Sequence, residues 1–289
     1  MSVNNSELKK VNTIYISCKD HTVSGEEFQL ILDTENDLLI TTPKPDLEKL
    51  PNYYKSEKYI SHTDSKNSIT DKVYQQIKKR MLAKKLNWIG KYFPEKGKLL
   101  DIGAGTGEFL RQAKTKGWKV KGIEPNEEAR KLAKEKGLKL VGDSSNFKAE
   151  KFDVITMWHV FEHVYDLKNQ IIELEQLLKK DGLLIIAVPN FKSFDANFYK
   201  EFWAAYDVPR HLWHFSRNSF QKLFASTSFS KVEEKPLMFD SYYVSLLSEK
   251  YKTGKSNFLK ALYIGFKSNL KAKNSLEYSS IAYFYRKSN

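Results

Sequence analysis

The stretch Lys98-Leu-Leu-Asp-Ile-Gly-Ala-Gly-Thr-Gly-Glu-Phe-Leu110 decides the fold of this chain of 289 residues. An apolar strand is followed by three alternate glycines, Gly103, Gly105 and Gly107, and then by the start of a helix at Glu108. Because glycine has no Cβ, the backbone at these positions can come close to a ligand at the helix N-terminus. The stretch therefore predicts a buried strand, a ligand-binding turn and a helix.

The spacing of the glycines argues against a dinucleotide. The pattern G-x-G-x-x-G would place its third glycine at position 108, but that residue is Glu108 and the glycine is Gly107. A carboxylate that opens the helix would also repel a pyrophosphate. S-adenosylmethionine carries a sulfonium, an amino group and a carboxylate but no phosphate, and Asp101 can face its amino-acid part. We therefore expect S-adenosylmethionine over the turn from Asp101 to Gly107, which includes Ala104 and Gly105.

Strands and helices alternate along the chain after this turn. The predicted strands are 99–102, 119–123, 138–141, 152–157 and 183–188, and the predicted helices between them are 108–116, 127–136 and 167–180. Parallel strands joined by helices are the expected result. An amphipathic helix at 68–93 precedes them, and a helix at 219–226, a strand at 231–237, a helical insert at about 242–271 and a strand at 279–285 follow.

Polar or aromatic side chains follow three more of these strands. Glu124 ends the second strand, where a carboxylate can accept both ribose hydroxyls. Asp143 and Ser144 come after the third, and Asp143 can bind the adenine amino group. Trp158 and His159 end the fourth, beside the glycine turn, where they can face the cofactor or the substrate. Since ligands bind at the carboxyl ends of strands in open α/β sheets, these residues predict a single site.

Together these residues resemble class I S-adenosylmethionine-dependent methyltransferases over roughly residues 98–285. The resemblance implies an α/β fold with a Rossmann-like seven-stranded sheet, an antiparallel last strand and flanking helices. It also implies that the residues named above hold the cofactor, with the ribose on Glu124 and the adenine near Asp143. Segments 158–164 and 206–216 are similar to bacterial small-molecule methyltransferases related to the ubiquinone-pathway O-methyltransferases.

Two histidines are candidates for a general base. Methyl transfer is an in-line displacement, so an enzyme must chiefly align the reactants and exclude water, but a hydroxyl or phenol acceptor gains from a base. His159, at the mouth of a central strand, is the first candidate and His211 the second. The stretch from His159 to His163 also matches a zinc-protease signature, but it follows an apolar strand and no distant carboxylate ligand is evident. We expect no metal, and Glu162 and His163 can instead cap the next helix.

Charged residues gather in a segment beyond the strand that ends at Pro189. Asp207, Arg210, His211 and His214 lie there, at the ligand-binding edge of the predicted sheet. One interpretation is a substrate pocket that includes Asp207 and Arg210. The other is an ion pair between these two residues that pins a long loop.

The N-terminal region predicts a small β appendage and a lid. Residues 11–42 contain short apolar or alternating runs, and two prolines near residue 44 then interrupt regular structure. Tyr54 and its neighbours Tyr53 and Tyr59 can form an aromatic lid that contacts the substrate or can be ordinary packing residues. We divide the chain into this appendage, residues 1–60, and a methyltransferase domain, residues 61–289.

Cysteine content and charge exclude several classes of protein. Cys18 is the only cysteine, so the C-x-x-H pair that it forms with His21 has no second cysteine pair and the appendage is expected to be ribbon-like without metal. The net charge of +13 is spread among acidic residues, which favours a solvated lysine-rich surface over a nucleic-acid footprint. No apolar run is long enough to span a membrane, and we expect a cytoplasmic protein.

The sequence thus predicts a methyltransferase that acts on a small-molecule acceptor at oxygen or carbon. Two alternatives stay open. The basic charge suggests an RNA or protein methyltransferase, which salt-sensitive RNA binding would favour. A scaffold that binds the cofactor without turning it over, acting through residues 1–60 or 242–271, is the other.

Overall fold

The computed structural model describes residues 13–54, 69–147 and 149–288, and for residues 69–74 it describes the backbone alone. The strands in these ranges are β1 (Thr13–Lys19), β2 (Glu27–Asp33), β3 (Leu38–Thr42), β4 (Lys98–Ile102), β5 (Lys119–Ile123), β6 (Phe152–Trp158), β7 (Leu178–Pro189), β8 (Trp213–His214), β9 (Phe229–Pro236) and β10 (Ser280–Lys287). The helices are α1 (Ile69–Tyr92), α2 (Glu108–Thr115), α3 (Glu127–Glu135), α4 (Leu167–Leu177), α5 (Phe194–Tyr199), α6 (Arg217–Phe224), α7 (Asp240–Thr253) and α8 (Phe258–Ser275).

The larger sheet confirms the predicted α/β architecture. Its order is β5-β4-β6-β7-β10-β9, with β5, β4, β6 and β7 parallel and β10 antiparallel to both neighbours. Apolar side chains of α1, α2 and α3 cover one face of the sheet, and those of α4 and α6 cover the other. A parallel sheet is normally covered on both faces. Because the four strands are parallel, their carboxyl ends lie at the same edge of the sheet, where ligands bind in open α/β folds.

Among the described residues the larger sheet has six named strands, and the seventh predicted strand is not confirmed. The segment 138–141 forms only an isolated parallel bridge, between Val141 and Ile123, and no named strand. Leu138 is buried and lies where a Cβ on Gly107 would meet its side chain, so the start of this segment packs against the glycine turn and only Val141 pairs with the edge of the sheet.

Two predicted helices have different bounds in the structure. The helix predicted at 167–180 ends at Leu177, because Leu178 is buried and pairs with Phe152 as the first residue of β7. The helical insert predicted at 242–271 is the pair α7 and α8. Gly254, with φ of +74°, ends α7 in the left-handed conformation that glycine adopts readily.

The predicted β appendage forms a second sheet, of order β1-β2-β3-β8, with antiparallel pairing throughout. Its fourth strand was not predicted, because β8 has two residues and comes from the distant segment that follows β7. Cys18, Leu30 and Leu39 of this sheet pack with Trp203 and Tyr206. The small sheet therefore fixes the loop that carries the predicted substrate residues.

The described helices differ from membrane-spanning helices in length or in apolar composition. Within the described ranges no helix combines the length and the apolar composition that crossing a bilayer requires.

Candidate functional site

The glycine turn is held to the neighbouring strand by its backbone. The amides of Gly103 and Ala104 both donate to the carbonyl of Ile123, at 2.8 and 2.9 Å. Gly103, Gly105 and Gly107 have φ values of +71°, +53° and +78°, a region in which side chains are strained. The turn is thus built from conformations that explain why glycine recurs at every second position.

The three glycines of the turn differ in how closely other protein atoms approach them. A Cβ on Gly103 would lie 2.3 Å from a methyl of Val160, and one on Gly107 would lie 2.5 Å from a methyl of Leu138. A Cβ on Gly105 would have no protein atom within 4 Å. Two glycines therefore pack against the protein, and the third opens onto a space that a ligand can fill.

Glu124 lies next to this space, as predicted. Its carboxylate accepts from the amide of Gly105 at 2.7 Å and from that of Asn126 at 2.9 Å. Each carboxylate oxygen has further acceptor capacity, which fits the predicted contact with two ribose hydroxyls. Sequence placed Glu124 at the end of β5, and the structure adds that it supports the turn directly.

Asp101 lies beneath the turn and is 3% exposed. Thr156 donates to its carboxylate at 2.6 Å. Burial raises the pKa of Asp101 to about 7, although this hydrogen bond and the charge of Lys85 favour the ionised form. Its carboxylate can accept from an ammonium group, as the amino-acid part of the predicted cofactor requires.

Lys85 of α1 is a member of the site that the sequence did not reveal. Its ammonium lies 4.0 Å from the centroid of the Trp158 ring. Burial lowers the pKa of Lys85 to about 8, against the opposing charges of Asp240 and Asp101. In the sequence Lys85 is one of many lysines on an amphipathic helix, so no local signal separates it from its solvated neighbours.

Trp158 ends β6 beside the turn, as predicted. Its ring packs edge-on against Phe109 at 5.6 Å between centroids. The indole N–H is buried and has no hydrogen-bond partner among the described residues. A buried donor without an acceptor is costly, so this N–H supplies a place for a polar ligand atom.

Asp143 and Ser144 follow the bridge at Val141. The Glu124 amide donates to the Val141 carbonyl at 2.9 Å, which keeps this segment beside Glu124. Asp143 is exposed, and its carboxylate accepts from the amide of Ser145 at 2.9 Å. The predicted adenine contacts thus lie at the same edge as Glu124.

His159 lies between two carboxylates and has a φ of +57°. Its Nε2 is 2.9 Å from Asp240 and its Nδ1 is 3.5 Å from Glu162. Burial alone would lower the pKa of His159, but the two carboxylates outweigh it and raise the pKa to about 9. The ring therefore holds its proton at neutral pH, which opposes the predicted role of His159 as a general base.

Glu162, His163 and His211 form a cluster beside His159, in which Glu162 and His211 are buried and His163 is half-buried. One ligand atom of each lies within 4.8 Å of the others, and both Glu162 oxygens lack a hydrogen-bond partner among the described residues. The His211 Nε2 is 4.0 Å from Glu162. Ligand atoms that each bind a transition-metal ion at about 2.1 Å stand closer together than 4.0 Å. The distances in this cluster do not test whether a metal binds, so the expectation of no metal stays a prediction.

His211 has a defined orientation. Its Nδ1 is 2.9 Å from the carbonyl of Ala205, which places the proton on Nδ1 in the neutral ring because a carbonyl only accepts. Its Nε2 then carries the lone pair and faces Glu162 and Asp207, at 4.0 and 3.8 Å. Of the two predicted bases, His211 is the one whose geometry leaves a nitrogen able to accept a proton.

The predicted capping role of Glu162 and His163 is wrong. Helix α4 is capped by Asp166, whose side chain accepts from the amide of Asn169. The His163 Nδ1 instead lies 3.0 Å from the carbonyl of Arg210 and 3.0 Å from the hydroxyl of Tyr54. Tyr54 therefore reaches the histidine cluster, while Tyr59 of the predicted lid falls outside the described residues.

Arg210 and Asp207 form the ion pair that was one of the two interpretations. Arg210 is 1% exposed, and its Nε and NH2 groups donate to the two Asp207 oxygens at 3.0 and 2.6 Å. It also donates to Asp20 and to the carbonyl of Tyr53, both at 3.0 Å. Burial would raise the pKa of Asp207, but Arg210 lowers it overall. Arg210 thus joins the small sheet to the loop and is not accessible to a substrate.

Comparison with known families agrees with this geometry. Residues 74–234, more than half of the chain, match the family model described as a methyltransferase domain. The chain belongs to this methyltransferase family, which confirms the predicted resemblance.

Curated relatives cover part of the chain. A ubiquinone biosynthesis O-methyltransferase of Actinobacillus pleuropneumoniae is 38% identical over 107 residues, which are 32% of this chain and 46% of that protein. An uncharacterised protein of Methanocaldococcus jannaschii is 35% identical over 109 residues, 37% of this chain and 51% of that protein. The chain therefore spans about half the length of these relatives.

Solved structures share the fold. The StiE O-MT structure has a TM-score of 0.52 at 14% identity and covers 77% of this chain and 78% of its own. A phosphoethanolamine N-methyltransferase of Haemonchus contortus, in complex with S-adenosyl-L-methionine, has a TM-score of 0.50 at 18% identity and covers 72% of this chain and 53% of its own. At these identities the likeness concerns the fold alone.

Proposed function

We propose that this methyltransferase binds S-adenosylmethionine over the glycine turn and methylates a small molecule at oxygen or at an acidic carbon. The observation that carries the cofactor assignment is the open space above Gly105, bordered by the Glu124 carboxylate. When bound, the cofactor supplies an electrophilic methyl group on its sulfonium. In the proposal, Glu124 holds the ribose, Asp143 and Ser144 lie at the adenine, and Trp158 offers its unpaired N–H.

The amino-acid part of the cofactor carries one positive and one negative group. In this proposal Asp101 faces the ammonium and Lys85 faces the carboxylate. The two side chains interact electrostatically and are both withdrawn from water, so each gains from an opposite charge on the ligand. Their positions fix the direction in which the reacting end points, toward the end of β6.

His211 is the proposed general base for an acceptor hydroxyl. Its Nε2 accepts the proton as the acceptor oxygen takes the methyl group, and Glu162 and Asp207 stabilise the imidazolium that forms. His159, which already carries a proton, is a positioning residue that holds Asp240 and Glu162 in place. A carbanion-forming acceptor would use the same base to lose its C–H proton.

Calorimetric titration with S-adenosylhomocysteine tests the cofactor assignment, with NADH and ATP as control ligands. We expect selective binding of S-adenosylhomocysteine that is lost in a Glu124→Ala variant and retained in Glu128→Ala, which removes an exposed carboxylate of α3. Binding of NADH in preference, or full affinity in Glu124→Ala, would overturn the assignment.

Transfer of a labelled methyl group from S-adenosylmethionine to a panel of catechols, quinols and sugars tests the acceptor class. For any acceptor found, His211→Ala should lower kcat by about a hundredfold or more while affinity for S-adenosylhomocysteine is kept. We expect treatment with a chelator to leave transfer unchanged. Labelling of RNA or protein in place of these compounds would contradict the proposal.

A further inference from the structure

Helix α8 has an inverted distribution of side chains. The residues that it buries are mostly small or polar: Ala261, Ile264, Gly265, Ser268, Asn269 and Ala272. Its large apolar residues are 39% to 78% exposed, and they are Phe258, Leu259, Leu262, Tyr263, Phe266 and Leu270. An amphipathic helix of a globular protein normally buries its large apolar residues, so this helix presents them to something outside the described chain.

The rotation of α8 about its axis is fixed by specific contacts. A Cβ on Gly265 would lie 2.9 Å from the Tyr242 Cα, so only glycine allows this approach to α7. Ser268 donates to Asp195 at 2.7 Å, and Asn269 donates to the Met238 carbonyl at 2.9 Å. Turning the helix to bury its apolar side would break these contacts, so the exposed face is part of the fold.

The exposed residues form one stripe. Leu259, Leu262, Tyr263, Phe266 and Leu270 are spaced by three or four residues, and at about 100° per residue they fall within an arc of about 100°. We call these five residues the outer face of α8. Two of the five are aromatic, a type of residue that is favoured at the boundary between lipid headgroups and acyl chains.

The surroundings of the outer face are strongly basic. Residues 250–276 contain seven lysines and no acidic residue. Lys267 and Lys271 lie beside the stripe, with their ammonium groups 5.4 and 4.6 Å from the centroid of the Phe194 ring. Residues 72–94 are as basic, with six lysines, one arginine and no acidic residue, but their described apolar side chains pack against the larger sheet. Within the described residues, α8 is the helix in which lysines flank an exposed apolar stripe.

We propose that the outer face of α8 and its lysines bind the surface of an anionic lipid bilayer. An apolar stripe rimmed by lysines can bury its side chains at the acyl boundary while the ammonium groups contact phosphates. A second copy of this chain fits less well, because it would bring another set of lysines against the first. The absence of a membrane-spanning helix in the described ranges agrees with attachment to one face of the bilayer.

The proposed surface lies close to the active site. Asn269 binds the carbonyl of Met238, and Phe239, the next residue, is also exposed. Asp240, which follows, contacts His159. Attachment through α8 therefore places the acceptor side of the site near the lipid surface.

Sedimentation with vesicles tests the proposal on the full chain. We expect binding to phosphatidylcholine vesicles that contain about one-third phosphatidylglycerol, little binding to phosphatidylcholine alone, and a decrease at high salt. The double variant Leu259→Asp with Phe266→Asp should partition at least about tenfold less. The matched control, Ile172→Asp with Val232→Asp, changes two other exposed apolar residues and should bind like the parent.

A second pair of variants isolates the charge. Lys271→Gln with Lys273→Gln should weaken binding to anionic vesicles, and Lys134→Gln with Lys139→Gln, on exposed positions elsewhere, should not. Equal binding of the parent to both kinds of vesicle, or parental binding by both outer-face and lysine variants, would overturn the proposal. So would a stable dimer in sedimentation equilibrium that Leu259→Asp with Phe266→Asp converts to monomer while the parent fails to bind vesicles.

Discussion

The two sides of the active site are held in place by different means. On the proposed cofactor side, the amides of Gly103 and Ala104 donate to the carbonyl of Ile123, and the amide of Gly105 donates to the carboxylate of Glu124. On the acceptor side, Arg210 connects Asp207, Asp20 and Tyr53, which come from segments far apart in the chain. The geometry of the cofactor side therefore depends on local backbone conformation. The geometry of the acceptor side depends on buried charges that must all be present together.

Substitutions on the two sides should therefore affect binding and stability differently. A change on the cofactor side that leaves the backbone intact should remove binding and spare the fold. A change on the acceptor side should lower stability as well, because an unpaired buried charge is costly. On the proposed acceptor side, a substitution is therefore expected to change stability together with any effect on the acceptor.

Replacement of Arg210 by Met should have the largest effect. It leaves the Asp207 and Asp20 carboxylates without their cation, and breaking a buried ion pair from one side costs about 3–5 kcal/mol. Urea unfolding measures the loss. The control is Arg217→Met, because Arg217 pairs with Glu234 at a half-buried site, where less than about 1 kcal/mol is expected.

If Arg210→Met unfolded with the same free energy as the parent, Arg210 would not stabilise the contact between the small sheet and the loop. Arg210→Met could also unfold at a much lower urea concentration and still bind S-adenosylhomocysteine when folded. The cofactor side would then be independent of the ion pair between Arg210 and Asp207.

Replacement of Gly105 by Leu tests the cofactor side. Because its Cβ would point into open space, we expect affinity for S-adenosylhomocysteine to fall at least about a hundredfold, or roughly 2.7 kcal/mol. Stability should fall only by the cost of a left-handed residue, about 1–2 kcal/mol. Calorimetry and urea unfolding give the two quantities.

Gly107→Leu is the matched comparison for Gly105→Leu. It has the same left-handed backbone, but its Cβ would meet the side chain of Leu138 at 2.5 Å. We expect it to lose more stability than Gly105→Leu. Equal stability of the two variants, with binding retained at position 105, would show that the open space is not the cofactor site.

Local patterns account for what the sequence predicted. The glycine spacing, Glu124 after a strand and the alternation of strands and helices each lie within a few residues, and local backbone rules constrain them. The family resemblance also implied an antiparallel strand at the end of the chain, and that strand pairs between β7 and β9. The seventh strand was not confirmed, because a four-residue segment gives no signal that separates a full strand from a single bridge beside the glycine turn.

Residues joined by long-range charge were not predictable in this way. Asp20 and Asp240 contact Arg210 and His159, yet each is one carboxylate among many in the sequence. In the same way, the sequence does not distinguish Lys85 from the other lysines of α1. Their roles arise only when folding removes water from them, and that depends on the packing of segments that sequence spacing does not relate.

Replacement of Asp240 by Asn should have the smallest effect on the molecule and the most specific readout. Asp240 is the carboxylate nearest to His159, and it helps to raise the pKa of that imidazole to about 9. Its loss should lower the pKa of His159 by at least about one pH unit, toward 6.5. Proton NMR of the histidine ring across the pH range gives the value, and Asp166→Asn, at the cap of α4, is the control.

The same pKa predicts how His159 contributes to stability. Because the folded-state pKa of about 9 exceeds the ordinary histidine pKa of 6.5, the folded protein binds the proton more tightly than the unfolded chain does. The contribution of the protonated ring is therefore complete below pH 6.5 and disappears as the pH rises through 9. A His159→Gln variant should be less stable than the parent at acidic and neutral pH, and the gap should narrow toward pH 9. A gap that widened with pH would mean that His159 is neutral in the folded protein, and the general base on the acceptor side would then be His159 in place of His211.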